Sequence, residues 1–100
     1  MKAVWNNEVL AEAPKEDLIR IEGSWYFPPK TLNWEYFEES DHVTMCHWRG
    51  EASYYDVVVA GERNLFGAWY YSEPMDGSIE RVGKDFSNYV AFWNGIEVVE

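Results

Sequence analysis

The segment from Thr44 to Tyr55 concentrates the side chains that could do chemistry. Cys46 is the only cysteine of the chain, and His47 follows it directly. A thiol beside an imidazole can form a thiolate nucleophile. Successive side chains of a strand point to opposite faces, however, so Cys46 is expected to share a face with Trp48 and not with His47. His42 is on the face of Cys46 but lies about 13 Å away. The pattern therefore favours Cys46 as a small buried core residue, with a nucleophilic or redox thiol as the alternative.

Metal and cofactor chemistry is not predicted. His42, Cys46 and His47 could supply three metal ligands only in a helix or loop, whereas the flanking sequence has the character of strands. The chain contains no Gly-x-Gly-x-x-Gly run and no Gly-Lys-Ser/Thr run, which are the usual phosphate-binding signatures. We therefore predict no metal and no cofactor.

Aromatic residues carry the main functional hint. They make up 18% of the chain and include six tryptophans. Each ring can bury about 150–250 Å², so most of them fill a small core and a minority is left to line a cleft. Such a cleft, with a few polar groups, favours binding of a small molecule or peptide. The ligand-binding candidates are Trp48, Arg49, Tyr54, Asp56, Trp69 and Tyr71.

Asp56 is a special case among these candidates. It is predicted to share a strand face with Tyr54 and Val58, in an apolar stretch. A carboxylate on a covered face needs a partner, for which Arg49, Arg63 or a tyrosine hydroxyl is available. A structural ion pair and a polar contact in a ligand pocket are equally favoured.

The elements that position these residues are predicted to be short antiparallel strands. Turn signals recur about every ten residues, and helical periodicity is scarce. The sequence therefore predicts a mainly β, compact single domain over residues 1–100, built of twisted antiparallel sheets with one short helix. That helix is expected at Lys30–Glu39, with Asn33 as its cap and with Trp34 and Phe37 three residues apart on one side. Ser78–Arg81 could add at most a single helical turn.

Three turns are candidates for hairpins. Asn6-Asn7 separates Ala3–Trp5 from Glu8–Ala11. The long strands His42–Arg49 and Ala52–Val59 are separated by Gly50-Glu51, so they either pair as a hairpin or continue around a bend. The third turn, Asn94-Gly95, gives the strongest hairpin signal of the chain, because this dipeptide tolerates the positive φ angles of a tight turn. It predicts pairing of Tyr89–Trp93 with Ile96–Val99. Leu65–Tyr71 shows no clean alternation of apolar and polar residues and is predicted as loop and strand.

Composition limits the partners. Eighteen acidic against eight basic residues give a formal net charge of -10, which repels nucleic acid and anionic membranes alike. No apolar run approaches the roughly 20 residues of a membrane-spanning helix, and no secretion signal is recognisable. We therefore expect a soluble cytoplasmic protein with no nucleic-acid and no membrane partner. An acidic module that recognises a basic protein is a further alternative.

Several sequence blocks share the pattern of a known family. They are Ala3-Val4-Trp5-Asn6, Trp25-Tyr26-Phe27-Pro28-Pro29 with Asn33, Thr44-x-Cys46-x-Trp48-Arg49-Gly50-x-Ala52-x-Tyr54-Tyr55, Ala68-Trp69-Tyr70-Tyr71 with Pro74, and Val90-Ala91-Phe92. Together they resemble the bacterial domain of unknown function family 427 over nearly the whole chain. His47 stands where this family usually has proline, Arg49 where it has lysine and Asn7 where it commonly has glycine.

This resemblance implies a fold but no activity. It implies a compact β-rich domain similar to the β-tent group, which includes the ligand-binding domain of cereblon and methionine sulfoxide reductase B. Zinc is common in that group, but the chain lacks the paired cysteines that hold it. The family has also been labelled a nucleotidyltransferase, yet no catalytic residues can be carried over to this sequence.

Overall fold

The computed structural model describes residues 1–100, and the chain is mainly β. Nine strands form three antiparallel sheets with the orders β2-β1-β9, β3-β4 and β5-β6-β7-β8. The elements are β1 (Lys2–Trp5), β2 (Glu8–Glu12), β3 (Ile19–Ile21), β4 (Ser24–Tyr26), β5 (Phe37–Cys46), β6 (Gly50–Val59), β7 (Glu62–Tyr70), α1 (Ser78–Val82), β8 (Val90–Phe92) and β9 (Glu97–Val99), with single 3₁₀ turns at Lys15–Asp17, Pro29–Thr31 and Trp34–Tyr36. The predicted mainly β architecture is confirmed.

The core consists of two hydrophobic clusters. Phe27 and Phe92 belong to one cluster, and their neighbours Tyr26 and Ala91 belong to the other. Adjacent residues of an extended chain point to opposite faces, so β8 and the segment at the end of β4 each contribute to both clusters. Reciprocal backbone hydrogen bonds of 2.8 and 2.9 Å join Phe27 to Val90 and place the end of β4 against β8. None of the helices is long and apolar enough to cross a membrane.

The prediction of a helix over Lys30–Glu39 is wrong. A single 3₁₀ turn covers Trp34–Tyr36, and β5 begins at Phe37. Asn33 does not cap a helix, because its side-chain amide donates to the carbonyl oxygen of Val9 at 2.8 Å and so ties this segment to β2. Trp34 and Phe37 do contact each other, but as rings that also pack on Tyr55 of the sheet. Tertiary packing thus overrides the helical spacing. The single helical turn predicted at Ser78–Arg81 is confirmed as α1.

Two of the three candidate hairpins form. Asn6 and Asn7 adopt φ angles of 51° and 64° between β1 and β2, as a tight primed turn requires. Strands β5 and β6 also pair, but their connection is His47–Arg49, and Gly50 already belongs to β6. The prediction that Trp48 shares a strand face with Cys46 is therefore wrong.

The hairpin predicted at Asn94-Gly95 is wrong, although the turn itself forms. Asn94 and Gly95 have φ angles of 59° and 91°, yet β8 pairs with β7 and β9 pairs with β1. The Asn94 side-chain amide donates to the side-chain oxygen of Asn64 at 3.1 Å and to the Leu65 carbonyl at 3.2 Å. These bonds fix the turn to β7, so the two flanking strands diverge into different sheets.

Strand β7 replaces the predicted loop-and-strand segment at Leu65–Tyr71. It runs without interruption from Glu62 to Tyr70, but its register with β6 shifts between Tyr55 and Val57. Phe66 sits at this irregularity with a φ of 61°, a conformation that is unusual for a bulky residue. The missing alternation in the sequence thus reflects a β-bulge.

Candidate functional site

An aromatic cleft of about 250 Å³ opens on the sheet formed by β5, β6 and β7. The turn after β5 and the residues that follow β7 and β8 complete its walls. A larger groove of about 470 Å³ near Lys30 and Lys84 has mostly exposed, charged walls of both signs, whereas this cleft has predominantly apolar walls with one arginine among them. Its lining residues are Thr44, Met45, Cys46, Arg49, Tyr54, Trp69, Tyr71 and Trp93. We refer to it as the aromatic cleft.

The four-stranded sheet brings the walls of the aromatic cleft together. Tyr54 of β6 lies directly opposite Trp69 of β7 in the register, and directly opposed residues of an antiparallel pair project from the same face. The hydroxyl groups of Tyr54 and Thr44 share a hydrogen bond of 2.9 Å, which connects β6 to β5 across the cleft. Trp93 contributes its ring edge-on to Trp69, with centroids 6.2 Å apart. Strand alternation and register thus explain how these rings come to share the cleft.

Arg49 is the cation of the aromatic cleft, and its side chain is held on several sides. Its Nε donates to Cys46 Sγ at 3.3 Å, and its Nη1 donates to the Tyr26 hydroxyl at 2.9 Å. The guanidinium carbon lies 5.4 Å from the centre of the Trp48 ring and 5.3 Å from that of Tyr71. Only 16% of the side chain is exposed. The guanidinium is therefore fixed in one orientation.

One nitrogen of this guanidinium remains available. Arg49 Nη2 forms no hydrogen bond and has only a 3.9 Å ionic contact with Glu22 Oε2. No unpartnered side-chain nitrogen or oxygen of a non-exposed residue is buried, so Nη2 reaches solvent. A preoriented guanidinium with free N–H groups at the wall of a cleft is a donor for a carboxylate, phosphate or carbonyl oxygen.

Tyr26 connects Arg49 to the opposite wall. The residue is fully buried, and its hydroxyl oxygen accepts hydrogen bonds from Arg49 Nη1 at 2.9 Å and Trp69 Nε1 at 3.0 Å. Burial raises the pKa of Tyr26 above its usual value, and the two donors only partly offset this. The phenol is thus neutral at physiological pH and fixes the guanidinium and the indole relative to each other.

Cys46 packs against the core cluster that contains Tyr26, as the sequence favours, but it is not fully buried. The thiol is half-buried at the cleft wall. Burial alone would raise the pKa of Cys46, but hydrogen bonds from the Arg49 side chain and from the backbone N–H groups of Trp48 and Arg49 outweigh it and hold the pKa below its usual value. His47 does not line the aromatic cleft, and the ring of His42 stacks on Phe66 with centroids 4.1 Å apart. The group that acts on the thiol is therefore an arginine and not a histidine.

Trp48 lies beside the aromatic cleft and does not line it. Its indole nitrogen donates to Glu22 Oε1 at 2.9 Å, and the Arg81 guanidinium lies 4.3 Å from the centre of its ring. Trp48 therefore contacts the Arg49 guanidinium without lining the aromatic cleft, and it lines a separate groove together with Arg81.

Asp56 lies outside the aromatic cleft as well. The carboxylate is nearly buried, accepts a hydrogen bond from Arg63 Nη1 at 3.0 Å and accepts another from the backbone N–H of Phe66 at 3.1 Å. These contacts hold the bulge of β7, and Arg63 also pairs with Glu38 at 2.9 Å. Of the partners weighed from the sequence, Arg63 is the one that Asp56 contacts.

The comparison with known domain families agrees with the sequence blocks. The sequence pattern of the domain of unknown function family 427 matches residues 1–100. The chain belongs to this family. A search of curated proteins found no match. Membership of family 427 assigns no reaction, so the function of this domain has to be argued from its own side chains.

The family 427 domain contains site residues that sequence reasoning missed. From the sequence, Tyr26 stands out only within the family block Trp25-Tyr26-Phe27-Pro28-Pro29, and Trp93 only as the end of the predicted strand Tyr89–Trp93. Glu22 has a φ of 49° in the β3–β4 turn, a conformation that costs a non-glycine residue about 1–3 kcal/mol and concentrates at functional sites. A charged residue before Gly23 in a tight turn, where asparagine or aspartate is usual, was the available signal. No group of three or more His, Cys, Asp and Glu side chains comes together to hold a metal ion.

Proposed function

We propose that this family 427 domain binds a small ligand in the aromatic cleft, with a flat or apolar part against Trp69, Trp93 and Tyr54 and an acceptor group on Arg49. The observation that carries the proposal is the guanidinium itself, which is held by Cys46 and Tyr26 while Nη2 forms no hydrogen bond and has only a 3.9 Å ionic contact with Glu22. Ligand sites commonly combine apolar walls with a few fixed polar groups. The arrangement is preorganised, so binding does not have to order the cation.

The size of the aromatic cleft narrows the ligand class. Its volume of about 250 Å³ lies just below the range of about 300–1,000 Å³ that is typical of small-molecule sites. A ligand with one ring and one anionic or carbonyl group fits this space, and a peptide would enter with a single side chain. The charge of the guanidinium favours an ionised carboxylate, because a charge-assisted hydrogen bond is stronger than one to a neutral acceptor.

A matched series of ring compounds tests the proposal. We expect benzoate to shift the indole N–H resonances of Trp69 and Trp93 in a saturable manner. Cyclohexanecarboxylate tests the need for a flat ring, and benzamide tests the need for the charge. If compounds of this series, and single-ring metabolites with an anionic or carbonyl group, leave the resonances of the cleft residues unchanged, the proposal is wrong.

A second candidate function is thiolate chemistry at Cys46. It is favoured by a specific observation, namely that a half-buried thiol at the cleft wall accepts a hydrogen bond from a guanidinium. A cation beside a thiol stabilises the thiolate, which is the nucleophilic form. A substrate in the aromatic cleft would lie against this sulfur atom.

The pH dependence of Cys46 alkylation tests this second function. Because the pKa of Cys46 is lowered in the folded protein, we expect the alkylation rate to reach its midpoint at a lower pH in native protein than in urea. Arg49→Gln removes the main side-chain donor and should move the native midpoint to higher pH. Lys30→Gln removes a charge elsewhere and should leave it unchanged. A thiol that reacts only after unfolding would exclude the thiolate function.

A further inference from the structure

A second concave site, which we call the arginine groove, lies next to the Trp48–Arg49 turn. It has a volume of about 260 Å³ and is lined by Arg20, Ile21, Glu22, Trp48, Arg81 and Val82. The chain has four arginines and a net charge of -10. Arg20 and Arg81 line this groove, and Arg49 contacts the Trp48 ring beside it. Three of the four arginines thus lie in or beside one groove of a strongly acidic protein.

The arginine groove has a local excess of positive charge. Neither Arg20 nor Arg81 forms a hydrogen bond or an ion pair with any carboxylate, whereas Arg63 pairs with two. Glu22 is the only acidic residue in the lining. Its carboxylate already accepts the indole N–H of Trp48 at 2.9 Å and lies 3.9 Å from Arg49 Nη2. The guanidinium groups of Arg20 and Arg81 therefore have free N–H donors.

Aromatic stacking orients these two guanidinium groups. The guanidinium carbon of Arg81 lies 4.3 Å from the centre of the Trp48 ring, and that of Arg20 lies 4.9 Å from the centre of the Trp25 ring. A guanidinium held over an indole ring is restricted in its position and keeps its N–H groups free for hydrogen bonds. Trp48 is part of the groove lining, whereas Trp25 lies outside it, so Arg81 is held inside the groove and Arg20 lines it while packing on the ring beside it. Ile21 and Val82 add an apolar part to the lining. The groove thus offers N–H donors from two arginines.

We propose that the arginine groove binds a tetrahedral oxyanion, namely phosphate as a free ion or as the phosphate group of a small monoester. Several acceptor oxygens match paired guanidinium forks, and the charge of phosphate compensates the unpaired arginines. This site is separate from the aromatic cleft, with which it shares no lining residue. It therefore adds an anion site to the proposed ligand-binding function.

A phosphate titration at constant ionic strength tests this proposal. We expect inorganic phosphate to shift the indole N–H resonance of Trp48 in a saturable manner, while chloride does not. Arg20→Gln and Arg81→Gln should each weaken phosphate binding by about tenfold or more, as the loss of a charged hydrogen-bond donor predicts. Both side chains are exposed, so thermal unfolding is expected to be unchanged. Lys2→Gln, which removes the same charge outside the groove, is the matched control.

Further arms of the titration separate the sources and the sites. Tighter binding of O-phosphoserine than of inorganic phosphate supports a monoester as the ligand, and equal binding supports the free ion. Trp69→Phe, in the aromatic cleft, should leave the phosphate affinity unchanged even if no cleft ligand is found. Titration without saturation, or equal weakening by Lys2→Gln and both arginine variants, would show only diffuse attraction and overturn the proposal.

Discussion

Replacing Arg49 with glutamine is expected to weaken binding of a carboxylate ligand in the aromatic cleft by about ten- to a hundredfold, because a charge-assisted hydrogen bond is worth about 1.5–3 kcal/mol. The variant loses the free Nη2 donor and the positive charge. It also loses the hydrogen bonds to Cys46 and Tyr26 that hold the cleft wall in place. Isothermal titration with benzoate, or with the best ligand from the ring series, measures the effect.

Two variants separate the roles of charge and geometry at this position. Arg49→Lys keeps the charge but has no planar fork, so we expect an affinity between those of the parent and the glutamine variant. Lys30→Gln removes a positive charge from a groove that shares no lining residue with the aromatic cleft and should leave affinity unchanged. A ligand that binds Arg49→Gln as tightly as the parent would show that Arg49 is not its anchor.

Much of the fold could be predicted because it depends on local signals. Asn6-Asn7 forms its tight turn as expected, and the paired strands β5 and β6 follow from their apolar residues and the nearby glycine. The failures occur where a distant contact decides the outcome. The turn at Asn94-Gly95 is intact, yet its hydrogen bonds to Asn64 and Leu65 direct the flanking strands into separate sheets. A sequence window around the turn contains no sign of this.

In the candidate site, too, the features that depend on local sequence could be predicted, and those that depend on distant contacts could not. Arg49, Tyr54, Trp69 and Tyr71 were selected because aromatic rings beside one cation suggest a pocket, and all four line the aromatic cleft. Trp48 was placed by strand alternation, which fails at this position because the strand ends at Cys46. The contact of Arg49 with buried Tyr26, 23 residues away in the chain, depends on how β4 packs against the large sheet. Local sequence patterns do not contain that information.

Gly50, which follows the turn beside the aromatic cleft, leaves no room for a side chain. Its φ of 109° is one that side chains rarely adopt, and a Cβ atom there would lie 3.1 Å from the backbone nitrogen of Met75. That nitrogen donates to the carbonyl oxygen of Arg49 at 2.9 Å, so it cannot move away without losing the bond. Gly50 therefore allows the loop that follows β7 to pack directly on the Arg49 backbone.

Replacing Gly50 with alanine is therefore expected to lower the free energy of unfolding by about 3 kcal/mol, from backbone strain and steric overlap together. Urea denaturation measures the loss. Gly61→Ala is the matched control, because Gly61 also has a positive φ, of 80°, but a Cβ atom added there would have no neighbouring atom within 4 Å. This control should lose only about 1 kcal/mol, from strain alone. Equal losses in the two variants would show that contact with Met75 does not restrict position 50, and the rigid support inferred for Arg49 would have to come from its side-chain contacts alone.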